Sequence, residues 1–321
     1  MPFQDKLPLI ETIGLKKYFR VPNGYLHAVD DINIQIRQGE TLGVVGESGC
    51  GKSTLGRVIL RLLEATGGKV LLDGQEITNL PRQKKKLIYE NMQMVFQDPY
   101  TSLNPRLSVG QLIEEPLLVR QKNMSRAQRQ QRVIEAMEAV GLTRRYLNTY
   151  PHELDGGRRQ RVGLTRALIL NPRFVVCDEP VSTLDVSIQA QILNLLMDLQ
   201  EQRNLTYMFI SHDMCVVRHI STNIAVMYLG EIIEYASRDE LFQQQAHPYT
   251  KALLRAIPTT DLASRKRDQA ILKGEVANPI NPEPGCRFMP RCPYATDRCK
   301  EKQHLKEIAP GHFVACCLYG N

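Results

Sequence analysis

The stretch Gly46–Thr54, GESGCGKST, restricts this chain more than any other feature of it. It lies between the β-branched apolar run TLGVV and the helical run LGRVILRLLE, so G-x-x-x-x-G-K-S/T spacing falls at a strand-turn-helix junction. Glycines there let successive backbone N–H groups turn inward as a nest for phosphate, and the helix N-terminus adds the positive end of its dipole. Gly46, Ser48, Gly49, Gly51 and Thr54 are therefore expected to line a phosphate-binding loop, with Lys52 reaching the outer phosphates and Ser53 holding Mg2+. Such a loop needs an acid on a neighbouring strand, and RFVVCDEP supplies one. Asp178 stands at the strand's C-terminal end for a water-mediated Mg2+ contact, and Glu179 beside it is expected to orient an attacking water as general base.

The segments TLGVVG, MQMVFQ, RFVVCDE and LTYMFISHD are short apolar runs that end in polar or glycine residues, the pattern of buried strands in an α/β sheet. Between the second and third, Ser125–Leu142 carries apolar residues at helical spacing behind Ser125 as N-cap, which predicts a helical insertion. After about Gly230 come two short helical segments divided by His247–Pro248. Pro279, Pro282, Pro284, Pro290 and Pro293 follow and predict an appendage built of loops. With 43% hydrophobic residues among 321, the chain can bury a sizeable core. No apolar run nears the roughly 18–20 residues that span a bilayer, and the N-terminus lacks a signal-peptide core, so a cytoplasmic chain is expected. The net charge of +7 suits nucleic acid, an anionic membrane surface or a solvated face alike, and selects none of them.

Upstream of the two acids lies ELDGGRRQR, Glu153–Arg161. Taken alone it is a turn and a helix start, in which Asp155 accepts backbone N–H bonds and the glycines supply unusual dihedrals.

The order of these segments carries a resemblance. LKKYF, GESGCGKST, VFQDP, LDGGRRQR, CDEP, STLD and ISHD resemble, in sequence, the nucleotide-binding domain of ABC transporters over roughly residues 8–240. The resemblance implies an α/β fold: a P-loop NTPase (RecA-like) core with an antiparallel β subdomain and a helical subdomain inserted at about 98–165. Phe19, or Tyr18 beside it, would stack on adenine. Gln97 would touch Mg2+ and sense the membrane partner, Ser182 and Asp185 would belong to the D-loop, and His212 would be the switch histidine at the γ-phosphate. Asp155, Gly156, Gly157 and Arg158 would form the signature turn that faces the ATP of a partner subunit. The turn departs from the family's LSGGQ twice, with Asp155 for the serine and Arg158 for the glutamine. DPYTSLNPR, AHPYTKALL and a cysteine-bearing tail narrow the resemblance to the oligopeptide/dipeptide and nickel branch of ABC importers, and imply a loop-rich C-terminal extension over 241–321.

Of the cysteines, Cys50, Cys177 and Cys215 are isolated, whereas Cys286, Cys292, Cys299, Cys316 and Cys317 crowd the C-terminus. A disulfide framework does not suit a cytoplasmic chain, so the cluster points to metal ligation. The spacing C-x5-C-x6-C is wider than a zinc knuckle, and adjacent prolines would hold the thiolates in loops. Zinc and reduced free thiols both stay open on the residues alone. The resemblance implies a 4Fe–4S cluster on Cys286, Cys292, Cys299 and Cys316, with Cys317 as a spare.

The function implied is that of an ATP-hydrolysing subunit, with ATP and Mg2+ as cofactors, driving uptake of di- or oligopeptides or a related solute. Its partners would be a homologous ATPase subunit in a head-to-tail heterodimer, two integral-membrane permease subunits and an extracytoplasmic solute-binding protein, and its place the cytoplasmic face of the membrane. The rival is a soluble ABC ATPase acting on nucleic acid or ribosomes. Such proteins usually join two nucleotide domains in one chain or carry large inserted arms, and neither is present here. A phosphate-binding kinase lacks an acceptor-site motif.

Overall fold

Four runs expected to be buried strands are strands, and the segments between them place the functional residues. The structure, a computed structural model, describes residues 7–81, 85–256 and 280–319; Pro279, one of the expected helix breakers, lies outside them. The described chain divides into two compact units. One comprises Met1–Leu9, Arg37–Glu40 and Asn79–Phe209, the other Ile10–Ile36, Thr41–Thr78 and Ile210–Asn321.

The second unit holds two sheets. β1 (Ile10–Val21) and β2 (Gly24–Ile36) form an antiparallel hairpin, and β1 also pairs antiparallel with a strand made by Gly67–Leu72. β3 (Thr41–Val45) is buried at every position, as a strand covered on both faces must be, and leads through the phosphate loop into α1 (Lys52–Ile59). The Gly67–Leu72 strand is β4, and β5 (Gln75–Glu76) completes that antiparallel sheet.

In the first unit, α2 (Lys85–Asn91) precedes β6 (Met92–Val95), and the helical insertion follows as α3 (Pro99–Ser102), α4 (Val109–Arg120), α5 (Arg126–Ala139) and α6 (Gly156–Leu168). Ser125 caps α5 in a capping box with Gln128, as the sequence predicts, and Ser108 caps α4 with Gln111 in the same way. β7 (Phe174–Asp178) is fully buried and runs parallel to β6; α7 (Val186–Arg203) leads to β8 (Thr206–Ile210), which lies beside β7.

The second unit resumes with α8 (Met214–Ile220), β9 (Asn223–Tyr228) and β10 (Glu231–Ser237). β9 is parallel to β3 and antiparallel to β10. A side chain at Gly43 of β3 would collide with Ser221 and Val217, so glycine is what lets α8 close on that strand. Beyond α9 (Arg238–Gln243) and α10 (Pro248–Arg255), the appendage is not made of loops alone. β11 (Lys306–Ala309) and β12 (His312–Val314) pair with each other, and β12 continues the sheet on β10. The expected loop-rich extension thus also carries a short strand pair, placed beyond the proline-dense stretch that ends at Pro293 and joined through a turn at Pro310. No helix among the described residues is long and apolar enough to cross a membrane.

Candidate functional site

The phosphate loop is held by strain that only glycine relieves. Gly46 and Gly51 have φ of 154° and 106°, and a side chain on Gly51 would strike the carbonyl of Ala28. At Gly49, with φ of 79°, nothing lies within 4 Å of the absent Cβ, which leaves the mouth of the loop open. Lys52 is buried, and its Nζ donates to the carbonyls of Gly46 at 2.8 Å and Glu47 at 2.9 Å, which fixes the ammonium at that mouth. Ser48 is exposed, and Ser53 and Thr54 are half-buried in the first turn of α1. Cys50 faces inward, where burial pushes its thiol pKa up and makes it a packing residue.

Two residues from far along the chain complete this loop. The Glu47 N–H donates to Tyr249 Oη at 2.8 Å, and the Glu47 carboxylate accepts from both terminal nitrogens of Arg291, at 2.8 and 3.0 Å. Tyr249 is the tyrosine of HPYTKALL. His247 caps the same helix by accepting from the Tyr249 N–H through Nδ1, and burial, with Lys251 nearby, lowers its pKa to about 3, so it is neutral at physiological pH. Sequence reasoning valued this motif as a family marker and missed its contact with the phosphate loop.

On the β1–β2 hairpin, Tyr18 stacks on His27 with centroids 3.8 Å apart and donates its hydroxyl to Asp30. Burial opposes ionisation of Asp30, yet hydrogen bonds from Tyr18, His27 and Arg287 together hold its pKa below the usual carboxylate range. Phe19 lies opposite Leu26, with Lys17 Nζ 4.9 Å from its ring centroid. Of the two aromatic candidates for adenine, Tyr18 has one ring face covered by His27.

The acids belong to the first unit. Asp178 is buried at the end of β7, and Glu179 follows with a left-handed φ of 46°. Gln97 Nε2 donates to Glu179 Oε2 at 2.9 Å, and Ser182 Oγ donates to the Glu179 carbonyl at 3.1 Å. Asp185 caps α7 through the Ile188 N–H; hydrogen bonds from the Ser187 hydroxyl and that N–H keep its carboxyl below the usual range. Gly156 and Gly157 pack against this same region. An added Cβ at Gly156 would lie 3.2 Å from Leu184 Cδ2, and one at Gly157 2.8 Å from Ile188 Cγ2. Asp155 is the N-cap of α6: Oδ1 accepts the Arg158 N–H at 2.7 Å, and Oδ2 accepts from the Arg158 guanidinium. In the second unit, His212 is exposed just before α8, whose N-cap is Asp213.

The Ser53 hydroxyl in the second unit, and the Gln97 amide and Asp178 carboxylate oxygens in the first, are each the kind of hard oxygen donor that Mg2+ takes beside water and nucleotide oxygens. The C-terminal cysteines include one close thiol pair. Cys299 Sγ lies 3.2 Å from Cys317 Sγ, both near Thr296, and the Cys286 N–H donates to the Cys299 carbonyl. Cys317, read from the sequence as a spare, is thus the thiol against Cys299. Burial pushes Cys286 up to about 12 and Cys316 up to about 11, and raises Cys292. Among the described residues, no group of three or more His, Cys, Asp or Glu side chains is disposed to hold a metal ion. The expected 4Fe–4S ligation by Cys286, Cys292, Cys299 and Cys316 finds no support in this arrangement.

A glycine-rich loop between β3 and α1, with a buried strand-end aspartate and an adjoining glutamate, defines a P-loop nucleotide-hydrolysing protein. The chain matches the ABC transporter family over residues 29–182 and the oligopeptide/dipeptide transporter C-terminal region over residues 233–299. It is 49% identical to the oligopeptide transport ATP-binding protein AppF of Bacillus subtilis, over 97% of each chain. It is 46% identical to the dipeptide transport ATP-binding protein DppF of Haemophilus influenzae, over 98% of this chain and 97% of that one. Among solved structures, the ADP- and phosphate-bound dimer of the ATP-binding cassette MJ0796 matches with a TM-score of 0.66 and 29% identity, over 71% of this chain and 98% of that one. The cbiO1 subunit of Clostridium perfringens matches with a TM-score of 0.67 and 26% identity, over 75% and 92%. The chain belongs to the ABC transporter ATP-binding family and is an ATPase of that family.

Proposed function

We propose that this chain powers the uptake of di- or oligopeptides, as one ATPase of a pair bound to two permease subunits at the cytoplasmic face of the membrane and fed by an extracytoplasmic binding protein. What carries this reading is near-full-length likeness to peptide-transport ATP-binding proteins together with the matching C-terminal region. A partner that is a distinct homologue is part of the proposal. The domain reading, 8–240 with an insertion at about 98–165 and then 241–321, is kept on the same terms.

Lys52 and the loop N–H groups would take the phosphates, Phe19 the adenine, and His212 the γ-phosphate. Mg2+, held by Ser53, Gln97 and, through water, Asp178, would offset phosphate charge as hydrolysis proceeds. Glu179 would orient the attacking water. Its contact with Gln97 gives a means by which a membrane partner that moves Gln97 also moves the base. Asp155 and Arg158 would face the partner's ATP as an already paired acid and base.

Deleting the gene and measuring uptake of a radiolabelled dipeptide and a longer peptide tests the cargo. Loss of uptake, restored by the gene, supports the reading; intact peptide uptake with lost nickel uptake, or recovery with ribosomes and no integral-membrane protein, overturns it. Ligation of a 4Fe–4S cluster or zinc by Cys286, Cys292, Cys299 and Cys316 stands outside this proposal, and iron, sulfide and zinc assays on anaerobically prepared protein decide it.

A further inference from the structure

Glu47 is an electrostatic oddity, a carboxylate inside a loop built to receive a polyanion. Every polar group it has is engaged. Its N–H goes to Tyr249, its carbonyl accepts from Lys52, and its carboxylate is gripped by both arms of Arg291. Arg291 is 5% exposed and always charged, and it lies 244 positions away in the cysteine-bearing extension. Four residues earlier, Arg287 is 6% exposed, donates to Asp30 beneath Tyr18 and His27, and donates to the carbonyl of Leu229.

We propose that Arg291 is a positioning residue of the nucleotide site: it neutralises and fixes Glu47, so that the C-terminal extension sets the affinity of the phosphate loop for ATP. This rests on Gly46–Thr54 being the ATP phosphate loop. A planar guanidinium meeting a carboxylate through two parallel bonds fixes orientation as well as charge. With Arg291 in place, the loop presents its N–H groups and Lys52 without an unpaired acid beside them, and little reorganisation is needed when nucleotide arrives. The coupling is reciprocal, so bound ATP stabilises the extension to the same degree.

The test uses the full-length chain, with a fluorescent ATP analogue for affinity and the assembled transporter for kcat and KM. Arg291→Met is expected to raise the dissociation constant for MgATP on the order of tenfold while kcat at saturation stays within about twofold. Arg291→Lys keeps the charge and loses the fork, and its affinity is expected to fall between the two. Glu47→Gln in the Arg291→Met background is expected to restore most of the affinity by removing the unpaired acid. Wild-type affinity in a folded Arg291→Met or Arg291→Lys chain overturns the proposal, and so does a double variant as weak as Arg291→Met. Lys52→Ala separates the two layers: if it binds ATP normally, the phosphate-loop reading fails and the brace falls with it. If Lys52→Ala loses binding while Arg291→Met does not, the brace alone is wrong.

Discussion

At the residue scale, Lys52 and Glu179 differ in kind. Removing Lys52 takes away the cation held at the loop mouth, so Lys52→Ala is expected to abolish productive ATP binding. Glu179→Gln leaves the phosphate contacts and is expected to keep ATP bound while lowering turnover on the order of 10²–10⁴-fold. Equilibrium binding and steady-state hydrolysis on the two variants separate these effects, and wild-type turnover by Glu179→Gln would refute its assignment as base. A second prediction concerns Glu231, which faces Arg287, Asp30, Asp31 and Lys302. Burial raises its pKa from 4.5 to about 7, with Arg287 opposing and Asp30 reinforcing the rise. The folded state therefore binds more protons than the unfolded one between those values, so stability falls as pH rises from about 4.5 through 7. Glu231→Gln removes this slope and is expected to raise Tm at pH 8 by roughly 2–4 °C for each kcal/mol recovered, with little change at pH 4. Thermal melts at the two pH values check it.

At the element scale, the C-terminal region is organised around one buried carboxylate. Glu234 on β10 accepts from the Ala246 N–H at 2.7 Å and the His247 N–H at 2.9 Å, just ahead of α10. On its other side His312 Nε2 of β12 lies 2.8 Å away. Glu234→Ala would strand two buried N–H groups and an imidazole, at a cost of about 3–5 kcal/mol. Glu234→Gln keeps one carbonyl acceptor and is expected to lose less. Denaturant melts of both variants test this, and equal stability of Glu234→Ala and wild type would refute it. These elements also mark the limit of what is legible in a sequence. β3, β7 and β8 could be read because continuous burial writes itself as a continuous apolar run, and α5 because Ser125 and Gln128 form a local cap. β11 and β12 escaped notice: they are four and three residues long, and what makes them strands is the pairing of β12 to β10 and of β11 to β12, the first a contact no local pattern encodes. For the same reason Glu47 and Arg291 looked unrelated, while Asp155 and Arg158, one helical turn apart, could be paired by inspection.

At the scale of the whole molecule, the proposed pairing with a second ATPase subunit and the proposed role of Asp155–Arg158 as its signature turn raise the question of which ATP site does the work. In the family pattern a serine would donate a hydrogen bond to the γ-phosphate held by the partner subunit, and an ionised Asp155 donates none. Two like charges about 4 Å apart at an effective dielectric near 20 repel by roughly 4 kcal/mol. The pairing of Asp155 with Arg158 reduces that repulsion, since the acid is bound through one oxygen to the Arg158 N–H and through the other to its guanidinium. The same pairing prevents the acid from adapting to a phosphate, because moving Asp155 breaks the N-cap of α6 and exposes the helix's first N–H groups. The site that this turn closes is therefore expected to hydrolyse ATP more slowly than the site formed by this chain's Lys52 and Glu179 with the partner's turn. Mutating the general base in each ATPase subunit separately, within the assembled transporter, distinguishes the two. A much larger loss of ATPase activity from Glu179→Gln than from the equivalent change in the partner is the expected outcome, and equal losses would show that both sites turn over alike. Asp155→Ser should then speed the slower site, with its effect seen only when Glu179 is already Gln, so that the faster site no longer masks it.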